Sequence, residues 1–168
     1  MGETKDLSRQ EAIAKLKHLA EDIGICMFCT YKQQPPMETR PMSIAEVDAN
    51  GDCWFLSGAH SNKNQEIGEQ SDVQLIFADR NDAHFLSVYG KAEVLRDRKK
   101  IEEVWSNFAK AWFKEGKNDP EITAIRVRPQ QAHYWDTKHG RMVSLLKIAI
   151  ATISGKVMDD GVEGELRV

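Results

Sequence analysis

Cysteine is scarce in this chain and odd in number: Cys26, Cys29 and Cys53 are the whole supply. Three thiols cannot form the disulfide framework of a small secreted domain, so the expected compartment is the reducing cytoplasm. No apolar run approaches the ~18 residues a membrane span needs, and Met1 to Asp6 holds no hydrophobic signal core, so no membrane association is expected. Neither sign of charge dominates. With 23 Lys and Arg against 26 Asp and Glu, the chain lacks the basic field that nucleic-acid binding requires, although two local cations would suffice for a small anion. His18, His60, His84, His133 and His139 show no His-x-x-x-His spacing, and no metal site is expected. The serine-hydrolase elbow, the nucleotide-triphosphatase loop and the Rossmann fingerprint are missing too, since Gly51, Gly58 and Gly68 lie too far apart. Classical hydrolase, kinase and dehydrogenase readings lose their support.

What is present is a succession of strands. Ser8-Arg9-Gln10-Glu11 has capping-box spacing, and Ile13, Leu16, Leu19, Ala20 and Ile23 recur at helical period, which predicts a helix over 8–22 ended by Gly24. Ile25 to Tyr31 and Glu38 to Val47 then form a hairpin around Gln33-Gln34-Pro35-Pro36. After the turn at 48–52 comes a third strand, Cys53 to Ser57. A short helix is expected over 62–70, strands at Val73 to Ala78 and His84 to Leu95, and a bulge or close approach at Gly90. Ile101, Val104, Trp105, Phe108, Ala109 and Trp112 predict a helix over 97–114, with Trp105 and Trp112 packed on one face. Two strands follow, Ile122 to Val127 and Gln131 to Trp135, then a helix from Arg141 to Ile153. One domain over 1–158 is expected, with a loose tail at 159–168. Mostly consecutive strands argue for an antiparallel barrel over a doubly wound parallel sheet.

The densest chemistry lies in Cys53-Trp54-Phe55-Leu56-Ser57-Gly58-Ala59-His60-Ser61-Asn62-Lys63-Asn64. A strand here runs into hydroxyls, a glycine and a lysine just before a helix, and backbone N–H groups at a helix start beside an ammonium make a receptor for a phosphate monoester. Arg40 in Thr39-Arg40-Pro41-Met42-Ser43-Ile44 supplies a second cation from a neighbouring strand. Pro41 cannot donate to a sheet ladder, so Arg40 belongs at an edge or bulge, where a flat ligand can reach the backbone. Together the segments suggest a phosphorylated cofactor. Cys26-Met27-Phe28-Cys29 has redox or metal spacing, but residues three apart on a strand face opposite sides, which favours core thiols. Trp135 ends a strand beside the polar run 137–141, where its ring could close over a ligand.

Arg40-Pro41-Met42-Ser43, Trp54-Phe55-Leu56-Ser57, Ser61-Asn62-Lys63, Val88-Tyr89-Gly90-Lys91-Ala92-Glu93-Val94 and His133-Tyr134-Trp135-Asp136 fall in an ordered set. That set resembles the pyridoxamine 5'-phosphate oxidase-like superfamily of FMN-binding split barrels, and more closely its general stress protein 26 branch, over roughly residues 10 to 140. The resemblance implies a mainly β fold with flanking helices: a six-stranded antiparallel split barrel, homodimeric, with FMN in clefts between subunits. By position it implies that Arg40 and Lys63 hold the FMN phosphate, helped by Ser61 and Asn62. Pro41, Met42 and Ser43 would run along the isoalloxazine, Leu56 and Ser57 would contact the ring or ribityl chain, and Trp135 would reach the flavin from the partner subunit.

Departures from the oxidase pattern shape the functional expectation. Asn62 stands where many oxidases place an arginine, and Phe85 where a glutamine is expected, so the flavin site should be weaker or differently held. The oxidases' Arg-x-His-x-Arg signature aligns with Arg141-Met142-Val143-Ser144-Leu145, in which only Arg141 remains as a substrate anchor. The expected protein is an FMN-dependent oxidoreductase of unassigned substrate that is a poor pyridoxamine 5'-phosphate oxidase. The rival readings are a non-catalytic flavin-binding or stress-sensing protein, and a barrel holding haem or a deazaflavin.

Overall fold

A computed structural model describes residues 3–4, 7, 9–32, 35–113, 115–137 and 161–166. In chain order the elements are β1 (Glu3–Thr4), α1 (Arg9–Ile23), β2 (Ile25–Thr30), β3 (Glu38–Ser43), β4 (Glu46–Val47), β5 (Cys53–Gly58), α2 (Asn62–Glu69), β6 (Asp72–Asp79), β7 (His84–Leu95), α3 (Arg98–Val104), β8 (Ile122–Thr137) and β9 (Gly161–Leu166). α1 buries Ala12, Leu16, Leu19 and Ala20 at helical spacing, and Gly24, at φ +76°, ends it by donating its N–H to the Ala20 carbonyl at 2.9 Å.

The strands form one mainly antiparallel sheet in the order β1-β9-β8-β7-β6-β2-β3, with β5 also paired to β8. It curls back on itself because β3 and β4 are consecutive: β3 pairs with β2, while β4 pairs with β5 at the other side. Ala45 N–H bonds to the Trp54 carbonyl at 2.8 Å and seals the join. This is the split half-barrel with flanking helices that the family resemblance implies. Phe28, Phe55, Phe77, Leu75, Leu86 and Leu16 fill the space between the sheet and α1. A second cluster, Trp54, Ile101, Val104, Ile122 and Ala124, packs α3 on the outside.

Several expectations need correction. The strands expected at 122–127 and 131–135 are one strand, β8, whose first half pairs with β5 and whose second half pairs with β9. Pro129 reads locally as a stop, yet it sits opposite Gly90 at a register shift, where a bulge tolerates its missing N–H. The tail read as loose contributes β9, antiparallel to β8, with Leu166 only 2% exposed. The helix expected over 97–114 stops at Val104, and a separate 3-10 turn covers Asn107–Ala111. Ser106 and Asn107, which favour caps over helix interiors, supply the break. Trp112 consequently leaves the face it was expected to share with Trp105 and stands 75% exposed. The strand expected over Glu38 to Val47 is broken into β3 and β4, and β1 and β9 lie beyond the strands expected. The helix expected over Arg141 to Ile153, the substrate anchor Arg141 and the capping residue Ser8 lie outside the described residues.

Candidate functional site

β3 is the terminal strand of the sheet order, so the backbone around Pro41 does lie at an edge. Alternation along β3 puts Arg40 and Met42 inward, opposite Phe28 and Cys26, and leaves Thr39 and Pro41 outward and exposed. Met42 packs against the core, while Arg40, nearer the rim, turns its guanidinium to the end of β2 and to α2. Its Nη1 donates to Thr30 Oγ1 at 2.7 Å, and its Nη2 donates to Glu66 Oε2 at 2.7 Å. Thr30, wholly buried, donates in turn to the same carboxylate oxygen at 2.6 Å.

Lys63 lies one helical turn before Glu66 and therefore shares its face of α2. Burial lowers the pKa of its ammonium, the nearby Arg40 guanidinium lowers it further, and Glu66 partly restores it. Arg40 and Lys63 are thus electrostatic neighbours, brought together from strand and helix. Burial raises the Glu66 carboxyl, but hydrogen bonds from Thr30 and Arg40, with the charges of Arg40 and Lys32, outweigh it and hold the group below its usual range. Arg40, Lys63 and Lys32 set against Glu66 and Glu38 leave this corner with one net positive charge, suited to an anion.

The remaining site candidates divide. Ser57 and Ser61 place their hydroxyls 3.0 Å apart where β5 turns into α2, and Asn62 is exposed at the first residue of that helix. Ser61 sits at the N-cap position, but its side chain makes no cap bond. Leu56 packs with the outer cluster around Trp54. Trp135 lies on β8, four places from β3 in the sheet order. Its ring is half exposed, stacks obliquely on His133 at 4.4 Å between centroids, and borders an apolar cleft with Ile76, Phe85 and Leu86.

Three residues with structural parts in this corner carry no flag in the sequence reading: Thr30, Glu66 and Asn64. Asn64 is buried and anchors α2 by donating to Thr123 Oγ1 at 2.9 Å and to the Gly58 carbonyl at 3.1 Å. The spacing of Lys63 and Glu66 on a predicted helix was the available signal for the second of them. Cys26 and Cys29 are free, buried thiols; burial pushes Cys26 up to about 12, which makes it a poor nucleophile or metal ligand. No helix among the described residues is long and apolar enough to cross a membrane.

Comparison over most of the chain places it among known proteins. A family model described as "Pyridoxamine 5'-phosphate oxidase like" matches residues 11–159. The protein bli-3 of Neurospora crassa is 25% identical over 127 residues, which is 70% of this chain, and the chain spans 61% of that protein's length. A solved structure named as a general stress protein 26 of Jannaschia sp. CCS1 superposes with a TM-score of 0.79 at 22% identity, covering 96% of this chain and 100% of that one. The general stress FMN/FAD binding protein of Xanthomonas citri gives 0.63 at 21% identity, over 77% and 90%. At such identities the solved structures speak for the fold alone.

Proposed function

The chain belongs to the pyridoxamine 5'-phosphate oxidase-like family, and on that footing we propose that it binds FMN and works as a flavin-dependent oxidoreductase, as a homodimer in the cytoplasm. The observation that carries this reading is the pairing of Arg40 and Lys63 beside an open strand edge. Among the described residues Lys63 has no hydrogen-bonded carboxylate, so its partly buried charge suits an added anion. The residues present therefore fit a phosphate monoester.

In this reading Arg40 and Lys63 hold the phosphate, and Ser61 and Asn62 at the start of α2 add donors. Pro41, Met42 and Ser43 supply the strand edge along which the isoalloxazine lies, with Leu56 and Ser57 toward the ring and ribityl chain. Bound FMN supplies the electron or hydride chemistry, while the chain orients the ring and excludes water. The apolar face of the sheet, where Ile25, Met27, Ile76, Phe85 and Trp135 are all exposed, supports a second copy as the source of that ring. The flavin named in the Xanthomonas citri relative agrees with the cofactor class. The substrate anchor is Arg141.

An absorption spectrum of the purified protein, followed by FMN titration of the apoprotein, tests the reading directly. Flavin bands and saturable binding are expected. A haem or deazaflavin spectrum would refute the cofactor, and a bound flavin that stays oxidised with every nicotinamide and small donor would make this a binding protein instead of an oxidoreductase.

A further inference from the structure

We infer that Glu66 is a positioning residue for anion recognition: it clasps Arg40 of β3 to helix α2 so that the guanidinium and the Lys63 ammonium face one phosphate. The identity of that phosphate as FMN's rests on the function proposed above, but the clasp does not.

The argument starts from a closed set of bonds. Arg40 donates to Thr30 and to Glu66, and Thr30 donates to the same Glu66 oxygen, at 2.7, 2.7 and 2.6 Å. The three residues come from three elements, β3, β2 and α2, so the set fixes how α2 sits against the sheet edge. Glu66 and Arg40 are largely screened from water, with side chains 13% and 22% exposed, so the pair is not a solvated surface contact. A free arginine carries considerable rotamer entropy, and at the rim it would extend into solvent.

Electrostatics makes the clasp useful as well as rigid. Bringing Arg40 beside Lys63 without an anion is unfavourable: burial lowers the Lys63 pKa most, and the Arg40 charge lowers it further. The Glu66 carboxylate offsets that repulsion, so the receptor is assembled before any ligand arrives. It does so without filling the site: a guanidinium has five N–H donors, Thr30 and Glu66 each take one, and three remain for the incoming oxygens. Lys63, on the same helix face, is held at that position by the same clasp.

Two measurements test this, one with flavin and one without. FMN and riboflavin share ring and ribityl chain and differ by the phosphate, so their affinity ratio isolates phosphate recognition. Glu66→Ala should weaken FMN by about tenfold or more, the scale of one charge-assisted contact, while leaving riboflavin nearly unchanged. Glu66→Gln, which keeps a hydrogen-bonding oxygen for Thr30 and Arg40, should recover part of the loss. In the flavin-free protein, 13C-labelled lysine titration, with Lys63→Arg identifying the resonance, reads the Lys63 pKa. Glu66 raises that pKa, so deleting its charge alone would lower it. Release of Arg40 and loosening of α2 would instead raise it, and an increase in Glu66→Ala is expected.

FMN binding that is unchanged or tighter, equal weakening of both flavins, or a fall in the Lys63 pKa would overturn the clasp. Wild-type protein that binds no FMN but shows the upward shift in Glu66→Ala would leave the clasp standing and remove the cofactor. Wild-type protein that binds FMN but shows the downward shift would do the reverse.

Discussion

Phe85 stands directly opposite Trp135 across the β7–β8 ladder, and each side chain is 41% exposed on the outer face of the sheet. Beside them, Met27 and Ile76 form the next uncovered pair across β2 and β6. A charge placed among these side chains would have to be buried if a second copy covers the face. Truncating or charging a central aromatic of an interface costs 2 kcal/mol or more, so Phe85→Glu should weaken the dimer about thirtyfold or more. Sedimentation equilibrium reads this. A variant with the dimerisation constant of wild type would remove Phe85 from the interface.

Lys63→Ala should weaken FMN by roughly ten- to a hundredfold, since each charge-assisted contact to a phosphate contributes on the order of 1.5–3 kcal/mol. Fluorescence titration of the apoprotein is the measurement. Trp135→Ala gives the contrast: its effect should appear with riboflavin and FMN alike, because in the proposed site the ring meets flavin and not phosphate.

The clasp also has a pH signature. Glu66 is held below its ordinary value of 4.5 in the folded chain. The stabilisation is therefore full above that value and fades as the pH falls through the lower folded-state pKa. The melting temperature of wild type should exceed that of Glu66→Gln by a constant margin above about pH 5, and the margin should shrink on further acidification. A margin that grows toward acid would contradict the sign.

At Gly90 the constraint is steric. A Cβ built there would lie 2.4 Å from the Arg128 carbonyl oxygen, a backbone atom that cannot swing aside. Gly90→Ala should cost about 1–3 kcal/mol, the usual range for overpacking, read as a lower denaturant midpoint with an unchanged slope. The same substitution at Gly68, where the space is open, should do far less harm.

Pyridoxamine 5'-phosphate should be a poor substrate. Its oxidation needs phosphate and pyridine held in a near-attack geometry, and Val143 and Leu145 cannot donate the hydrogen bonds of a histidine and a second arginine. Formation of pyridoxal phosphate by the FMN-loaded protein should be slow even at high substrate. Turnover at the rate of a true oxidase would contradict this.

What could be read in the residues alone was whatever depends on near neighbours in the chain. Helical period located α1, and runs of strand formers between turn signals located β2, β5, β6 and β7, because both signals lie in near neighbours along the chain. Pro41 announced an edge because it lacks a ladder donor, and Gly90 announced a close approach because it lacks a Cβ. Tertiary structure alone decided the rest. The β9 segment, Gly161-Val162-Glu163-Gly164-Glu165-Leu166, has only two large apolar side chains to signal a strand and pairs along the free edge that β8 offers. Pro129 looks like a terminator until Gly90 is placed opposite it. In the site, residue types announced two cations, but nothing local could say that Thr30, 10 residues before Arg40, and Glu66, 26 residues after it, would close around its guanidinium. Hydrogen bonds between elements are set by where the sheet curls and where the helix lands, and those depend on the packing of the whole core.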